Sequence, residues 1–216
     1  MTRQPVPPRK AAAPRVWQRM LSGRRLDLLD PSPLDVEISD IAHGLARVAR
    51  WNGQTTGDHA FSVAQHSLIV EEIVAGQEPD PRWRLAALLH DGPEYVIGDM
   101  ISPFKAVLGG DYKAVEARLL GAIHRRFGLP ERLPAPVLRL IKSADRQSAH
   151  FEAKLLAGFT PDEATSLFGR PGSGTPDEAR FRPLPASEVG ADFLRRFDEL
   201  DAALRLPSSL PAKVPS

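Results

Sequence analysis

The sequence contains no cysteine, and this absence removes several kinds of chemistry. Without thiols the chain forms no disulfide, zinc–thiolate site or iron–sulfur cluster, and it has no cysteine nucleophile. Any metal must therefore be held by histidine, aspartate or glutamate. Long apolar runs are also missing: no stretch approaches the ~20 residues of a membrane-spanning helix, and the N-terminus lacks the apolar segment of a secretory signal. We expect a cytoplasmic protein without membrane contact.

Net charge is nearly absent as well. The 28 Lys and Arg residues almost balance the 27 Asp and Glu residues, and the resulting charge of +1 provides no general attraction to nucleic acid or membranes. Hydrophobic residues make up 42% of the chain and charged residues 25%, which is ordinary for a globular protein. A length of 216 residues fits one domain with tails better than two very small domains.

The two ends differ from the middle in composition. Residues 1–25 contain seven Lys or Arg and no acidic residue, together with several prolines. Such a segment is compatible with a nucleic-acid arm or an organelle-targeting peptide, but a mobile, solvated tail is the commoner case and is our interpretation. Residues 26–205 are predicted to form the globular domain, and residues 206–216, rich in Pro and Ser, a frayed C-terminus.

Apolar residues recur at helical spacing along most of the chain, and no stretch shows sustained alternation of the strand type. The sequence therefore predicts an all-α bundle. A loop-like insertion is predicted at 158–185; it contains TPDEA at Thr160 and again at Thr175, and each copy has the cap, proline and glutamate of a helix start. The predicted helices span 15–21, 39–51, 60–75, 81–91, 94–97, 103–108, 112–127, 137–156 and 187–204.

Groups that handle metals and protons cluster in LLHDGPEYVIGD, residues 88–99, which contains an adjacent His-Asp pair, a Glu and a second Asp. His66 and Asp145 lie on two other predicted helices, beside core-type residues. Helical bundles build metal sites in their cores from inward-facing His and carboxylate groups on separate helices. Considered singly, His66 is more simply a structural histidine and Asp145 a surface charge, because their long spacing does not show that they meet.

Five segments change that reading when they are taken together: ARWNG (49–53), SVAQHS (62–67), LLHDGPEYVIGDM (88–100), SPFK (102–105) and SADR (143–146). In this order the chain resembles the HD-domain metal-dependent phosphohydrolases over about residues 35–155, and is most similar to the branch of bacterial 5'-deoxynucleotidases. The resemblance implies an HD-domain helical bundle with one divalent metal ion in its core. The metal ligands that it implies are His66, His90, Asp91 and Asp145.

The resemblance also implies roles for residues around that ion. Asp91 and Glu94 are the catalytic residues, and Glu94 handles a proton of the attacking water. Without the resemblance, Glu94 would equally be a carboxylate that favours a helix start. Arg50 and Trp51 match a pair that lies over the substrate, and Asp99 matches a carboxylate that contacts the sugar. The complete substrate-binding set implied is Arg50, Trp51, Asp99, Met100, Ile101, Ser102 and Lys105.

Two imidazoles and two carboxylates form a moderately hard site that suits Mn, Co, Fe, Ni, Mg or Zn and leaves positions for water and phosphate. We therefore expect a 5'-nucleotidase that hydrolyses (deoxy)nucleoside 5'-monophosphates to nucleoside and phosphate. A phosphodiesterase or nucleoside triphosphohydrolase on the same site, and a non-catalytic metal- or nucleotide-binding module, remain alternatives. Tyr95 follows Glu94 where (p)ppGpp-hydrolysing relatives have an acidic residue, which argues against that reaction. Relatives often form dimers, so a homodimer stays open, and nucleic-acid binding by the tail is not expected.

Overall fold

The chain forms a helical bundle, which confirms the all-α prediction. The computed structural model describes residues 15–101, 110–172 and 176–205. Within these ranges the helices are α1 Ile38–Leu45, α2 Val63–Ala75, α3 Pro81–Leu88, α4 Glu94–Ile97, α5 Gly110–Arg126, α6 Ala135–Leu155, α7 Pro161–Phe168 and α8 Ala186–Arg205. Short 3-10 turns occupy Pro33–Asp35, Arg50–Gly53 and Glu178–Phe181. No helix in the described part of the chain is long and apolar enough to cross a membrane.

Side-chain caps fix several helix starts that the sequence predicts. The Ser62 hydroxyl accepts from the backbone N–H of Gln65, and Asp80 caps α3 directly before Pro81. At α7, Thr160 and Glu163 form a reciprocal capping box. Each cap satisfies backbone N–H groups that a helix start leaves without partners. At the second TPDEA copy, Thr175 lies outside the described residues, and Asp177 caps a 3-10 turn there instead of a longer helix.

Helix α2 lies at the centre of the bundle and packs against α3, α6 and α8. Its buried residues include polar side chains as well as apolar ones, among them Gln65, His66 and Glu71. The Glu71 carboxylate, on a residue 2% exposed, accepts hydrogen bonds from Arg84 Nε at 2.8 Å and from Arg196 Nε at 2.8 Å. This ion network ties α2 to α3 and α8. A buried charge needs such partners to offset its loss of hydration.

The predicted helix over 15–21 is wrong. Trp17–Arg19 forms a strand that pairs antiparallel with Arg25–Asp27, with Trp17 opposite Asp27. Leu26 is completely buried, and the Ser22 hydroxyl donates to Asp40, so this hairpin is anchored to the core. Residues 15–25, predicted as the end of the mobile tail, therefore belong to the folded unit. The predictions for residues 1–14 and 206–216 lie outside the described residues.

The predicted helix over 39–51 ends early, at Leu45. The next residues instead pair with the segment before α2: Arg50 N–H donates to the Phe61 carbonyl at 2.8 Å, and Val63 N–H donates to Val48 at 3.0 Å. Trp51 and Asn52 then adopt left-handed backbone angles, with φ of 56° and 51°. Side chains other than glycine rarely adopt this conformation. The extended pairing with a distant segment overrides the helical spacing of the local sequence.

The remaining helix predictions agree more closely. The helices predicted over 112–127, 137–156 and 187–204 correspond to α5, α6 and α8, with ends shifted by one or two residues. The segment 158–185 is predicted to be loop-like, with a helix start at each TPDEA copy. The helix start at Thr160 is confirmed by α7, so the loop-like description is wrong there, and the second copy leads only to the turn Glu178–Phe181. The short helix predicted over 103–108 lies outside the described residues.

Candidate metal centre

Three parts of the bundle bring the four predicted ligands together. His66 belongs to α2, His90 and Asp91 follow the end of α3, and Asp145 belongs to α6. His66 Nε2 lies 3.2 Å from Asp145 Oδ1 and 3.6 Å from Asp91 Oδ2, and His90 Nε2 lies 3.2 Å from Asp91 Oδ2. Ligand atoms of His66, His90 and Asp145 all lie within 4.8 Å of one another, so this group could hold a metal ion.

The Nδ1 atom of each imidazole, which points away from the centre, already donates a hydrogen bond. His90 Nδ1 donates to the Ala87 carbonyl at 2.8 Å, and His66 Nδ1 donates to Glu152 Oε1 at 2.5 Å. Each ring therefore turns Nε2 toward the centre, where both nitrogens are buried and face the carboxylate oxygens of Asp91 and Asp145. Metal-binding histidines in proteins have this arrangement, with the second nitrogen held by a carbonyl or carboxylate. The side chains present thus fit a divalent cation.

The charges of the centre also suit a cation. Burial acts to raise the pKa of Asp91, but His90, His66 and Arg50 outweigh it and hold that pKa far below its usual range. Burial likewise opposes ionisation of Asp145, whose pKa is nevertheless lowered, mainly by His66. Both carboxyl groups are therefore ionised at neutral pH.

The pKa of His66 is raised, whereas the pKa values of the two aspartates are lowered. Burial and the nearby Arg50 guanidinium act to lower the pKa of the imidazole. The carboxylates of Glu152 and Asp145 outweigh them and raise that pKa to about 10. In the metal-free protein both ring nitrogens of His66 therefore carry a proton at neutral pH. A metal ion that binds Nε2 has to replace the proton on that atom.

Gly92 allows the His90–Asp91 turn to pack tightly. A Cβ atom on Gly92 would lie 2.9 Å from the Leu89 carbonyl oxygen and 3.0 Å from Ile123 Cδ1. Any larger residue would push the turn away from α5. Directly after it, Glu94 N–H donates to the Asp91 carbonyl at 3.0 Å and begins α4. The Gly92-Pro93 step thus directs the Glu94 side chain, on a residue 2% exposed, toward the same region as Asp91.

A cavity of about 740 Å³ adjoins the centre. Of the predicted site residues, Arg50, Trp51, Asp91, Glu94, Asp99, Met100, Ile101 and Asp145 line it. Ser102 and Lys105 lie outside the described residues. The cavity also has lining residues that the sequence did not single out: Lys142, Arg146, Ala149, Phe159, Leu167 and Phe168.

Arg50 is held by two carboxylates. Its Nε donates to Glu152 Oε2 at 3.1 Å, and its Nη1 lies 3.4 Å from Asp99 Oδ2. Burial acts to lower the Arg50 pKa, but these carboxylates outweigh it and keep the guanidinium charged. Lys142 and Arg146, one on each side of Asp145 along α6, are exposed and form no ion pair within the described residues. Cationic charge available to an anion therefore comes from α6 as well as from Arg50.

An aromatic wall encloses another side of the cavity. The Trp51 ring lies 5.6 Å from the Phe159 ring and 5.7 Å from the Phe168 ring, in tilted and edge-to-face geometry. Phe159 precedes the cap of α7 and Phe168 ends that helix. Sequence reasoning missed both residues because they lie beyond the segments that carry the family resemblance.

Sequence reasoning also missed Glu152. It is completely buried in α6, and its carboxylate contacts His66, Arg50 and Trp51. Its position, seven residues after Asp145, places it two helical turns along the same face. An acid at that spacing, between Phe151 and Ala153, was the only available signal.

The fold and these side chains define an all-α protein with a candidate His/Asp metal centre beside a large cavity. No family model matches the chain. It is 60% identical over 184 residues to the uncharacterized protein RCAP_rcc00048 of Rhodobacter capsulatus, an alignment that covers 84% of this chain and 94% of that protein. The chain therefore belongs to the same family as RCAP_rcc00048. It is also 33% identical over 103 residues to the uncharacterized protein YfdR of Escherichia coli, covering 48% of this chain and 53% of YfdR.

Proposed function

We propose that the protein is a metal-dependent phosphohydrolase of the HD-domain kind, and that it acts as a 5'-nucleotidase on (deoxy)nucleoside 5'-monophosphates. One observation carries the proposal. The buried nitrogens of His66 and His90 meet two ionised carboxylates at the edge of a cavity that also contains cationic and aromatic side chains. Metal, phosphate and base binding would thus be available in one place.

His66, His90, Asp91 and Asp145 would hold the ion, and their mixed nitrogen and oxygen donors suit Mn, Co, Fe, Ni, Mg or Zn. When bound, such an ion supplies positive charge to phosphoryl oxygens and lowers the pKa of water. The other contributions come from the protein. Lys142 and Arg146 attract the phosphate dianion to the cavity, and the remaining N–H groups of Arg50 are available to its oxygens.

Glu94 handles the proton in this proposal. It is buried, and it lines the cavity together with Asp91 and Asp145. Its carboxylate accepts a proton from the attacking water as the new phosphorus–oxygen bond forms. The bond between phosphorus and the 5' oxygen then breaks, and the proton passes to that oxygen as the nucleoside leaves. No covalent enzyme intermediate is needed.

The aromatic wall favours a nucleotide over a small phosphoester. Trp51, Phe159 and Phe168 present planar apolar surface, and Leu167 lies on the same cavity although it is 64% exposed. A nucleobase gains both apolar burial and ring contacts on such a surface. Asp99 can accept a hydrogen bond from a sugar hydroxyl. A volume of about 740 Å³ is within the range of small-molecule sites.

Phosphate release from a panel of nucleotides with added Mn²⁺ or Co²⁺ tests the proposal. We expect turnover of nucleoside 5'-monophosphates, and loss of that turnover in the Asp91→Ala variant. The control is Asp198→Ala, which removes an exposed carboxylate on α8. Full activity of Asp91→Ala would contradict the proposal. A nucleotide or inorganic triphosphate as product would identify a phosphodiesterase or triphosphohydrolase instead, and tight metal binding without any turnover would identify a binding module.

A further inference from the structure

Glu152 accepts hydrogen bonds from two groups of residues with different roles. Its Oε1 accepts from His66 Nδ1 at 2.5 Å and from the Ser148 hydroxyl at 2.8 Å. Its Oε2 accepts from Trp51 Nε1 at 2.9 Å and from Arg50 Nε at 3.1 Å. A carboxylate offers about four acceptor positions, so these donors occupy all of them. This satisfaction is what allows a completely buried carboxylate to stay charged.

The first oxygen acts on the candidate metal centre. Because Nδ1 of His66 donates to Glu152, the Nε2 atom is the one that faces His90 and Asp145. A metal ligand needs a lone pair at that atom. The acceptor at Nδ1 therefore keeps His66 in the tautomer that can bind a cation.

The second oxygen acts on the opposite wall of the cavity. Trp51 has a left-handed backbone with φ of 56°, an unfavourable conformation for a bulky residue. Strained backbone of this kind persists only where surrounding contacts hold it. The indole N–H and the Arg50 guanidinium both bind the same carboxylate oxygen, so Glu152 fixes the direction of both side chains.

We propose that Glu152 is a positioning residue that couples the metal centre to the Arg50–Trp51 wall through its two oxygens. The metal-binding half of this inference stands on geometry alone, while its effect on substrate rests on the proposed nucleotidase function. In neither role does Glu152 contact a reacting group.

Replacing Glu152 by glutamine makes the coupling measurable. An amide has one acceptor oxygen and one NH₂ donor, so it cannot accept from both sides. If the oxygen faces His66, the NH₂ group opposes the donors of Arg50 and Trp51. If the NH₂ group faces His66, Nδ1 has to accept and the neutral ring carries its proton on Nε2, which removes the metal-binding lone pair. Either orientation damages one half of the site.

The test uses the full-length Glu152→Gln protein. Calorimetry measures its Mn²⁺ affinity, and ¹⁵N chemical shifts of the metal-free protein report which His66 ring nitrogens carry a proton and whether the Trp51 indole N–H keeps its hydrogen bond. With the NH₂ group facing His66, we expect metal affinity about 10- to 100-fold weaker, as is typical when a partner of a metal-binding histidine is lost. With the oxygen facing His66, we expect metal affinity near that of the wild type and a changed ¹⁵N shift of the Trp51 indole. The matched control is Glu71→Gln, another buried glutamate with guanidinium partners that does not touch the centre. That variant should lose stability and keep the metal affinity of the wild type.

Wild-type Mn²⁺ affinity together with unchanged ¹⁵N shifts of both the His66 ring and the Trp51 indole in Glu152→Gln would overturn the inference. If Glu152→Gln does not fold, the Glu152→Asp variant provides the test, because it keeps the negative charge on a side chain that is one methylene group shorter. Full metal affinity in that variant would refute the positioning role. Neither measurement needs turnover, so a protein without phosphatase activity would leave this result intact. Where turnover is present, the KM for nucleotide should stay raised in Glu152→Gln at saturating Mn²⁺, since Arg50 and Trp51 have lost their acceptor.

Discussion

The capping box at Thr160 begins helix α7, which ends at Phe168 in the wall of the cavity, so this local sequence motif affects the shape of the cavity. The Thr160→Ala substitution removes the hydroxyl, which accepts from Glu163 N–H at 3.3 Å and donates to Glu163 Oε2 at 2.8 Å. The bond from Thr160 N–H to Glu163 Oε2, at 2.8 Å, remains. Loss of a Thr cap typically costs about 1 kcal/mol. Because α7 has only eight residues, it has little helical stability of its own to absorb that cost.

A loss of about 1 kcal/mol corresponds to roughly a fivefold larger population of locally opened α7. Hydrogen exchange measures this directly at Ala164, whose N–H bonds the Thr160 carbonyl, and at Gly169, whose N–H bonds Thr165. We expect about fivefold faster exchange at these two amides in Thr160→Ala. The control is Asp177→Ala, which removes the cap of the Glu178–Phe181 turn.

Unchanged exchange at Ala164 and Gly169 would refute this account of α7, and so would an equal increase throughout the bundle. The consequence for the cavity follows from Phe159 and Phe168, which flank α7 and contact Trp51. If the protein hydrolyses nucleotides as proposed, opening of α7 weakens the aromatic wall. The KM for nucleotide should then rise, by no more than this factor of about five, while kcat changes little.

Two further predictions concern pH. The pKa of His66 is raised to about 10 in the metal-free protein, so Mn²⁺ binding should release close to one proton near neutral pH. The Mn²⁺ affinity should therefore fall about tenfold for each unit by which the pH is lowered. Calorimetry in buffers of different ionisation enthalpy measures both effects, and binding heats that do not depend on the buffer would contradict the prediction. Burial lowers the pKa of His124 in the folded protein below the value of about 6.5 that it has in the unfolded chain. The contribution of neutral His124 to folding stability is therefore fully present above about pH 6.5, and it is lost as the pH falls toward the pKa of the folded state. Urea unfolding at several pH values should therefore show a smaller acid-side decline in His124→Gln than in the wild type, and equal declines would count against this role.

Much of the helical framework follows from local patterns. Helices α5, α6 and α8 and the Thr160 cap depend on apolar spacing and on contacts within one helical turn, which the sequence displays directly. The hairpin Trp17–Asp27 and the left-handed turn at Trp51 do not, because pairing with neighbouring segments and anchoring to the core decide them. Short-range periodicity carries no information about such partners.

The site divides in the same way. The kinds of donor atom were determined by the sequence alone: without cysteine, a metal could be bound only by His and carboxylate side chains, and the order of their segments indicated which ones. Only the tertiary structure decided that they converge and how they are oriented. Glu152 contacts His66 across 86 positions and Trp51 across 101 positions, and these contacts select the tautomer of one and the direction of the other. Such contacts arise from the packing of α6 against α2 and the Arg50–Gly53 turn, and packing depends on the whole core.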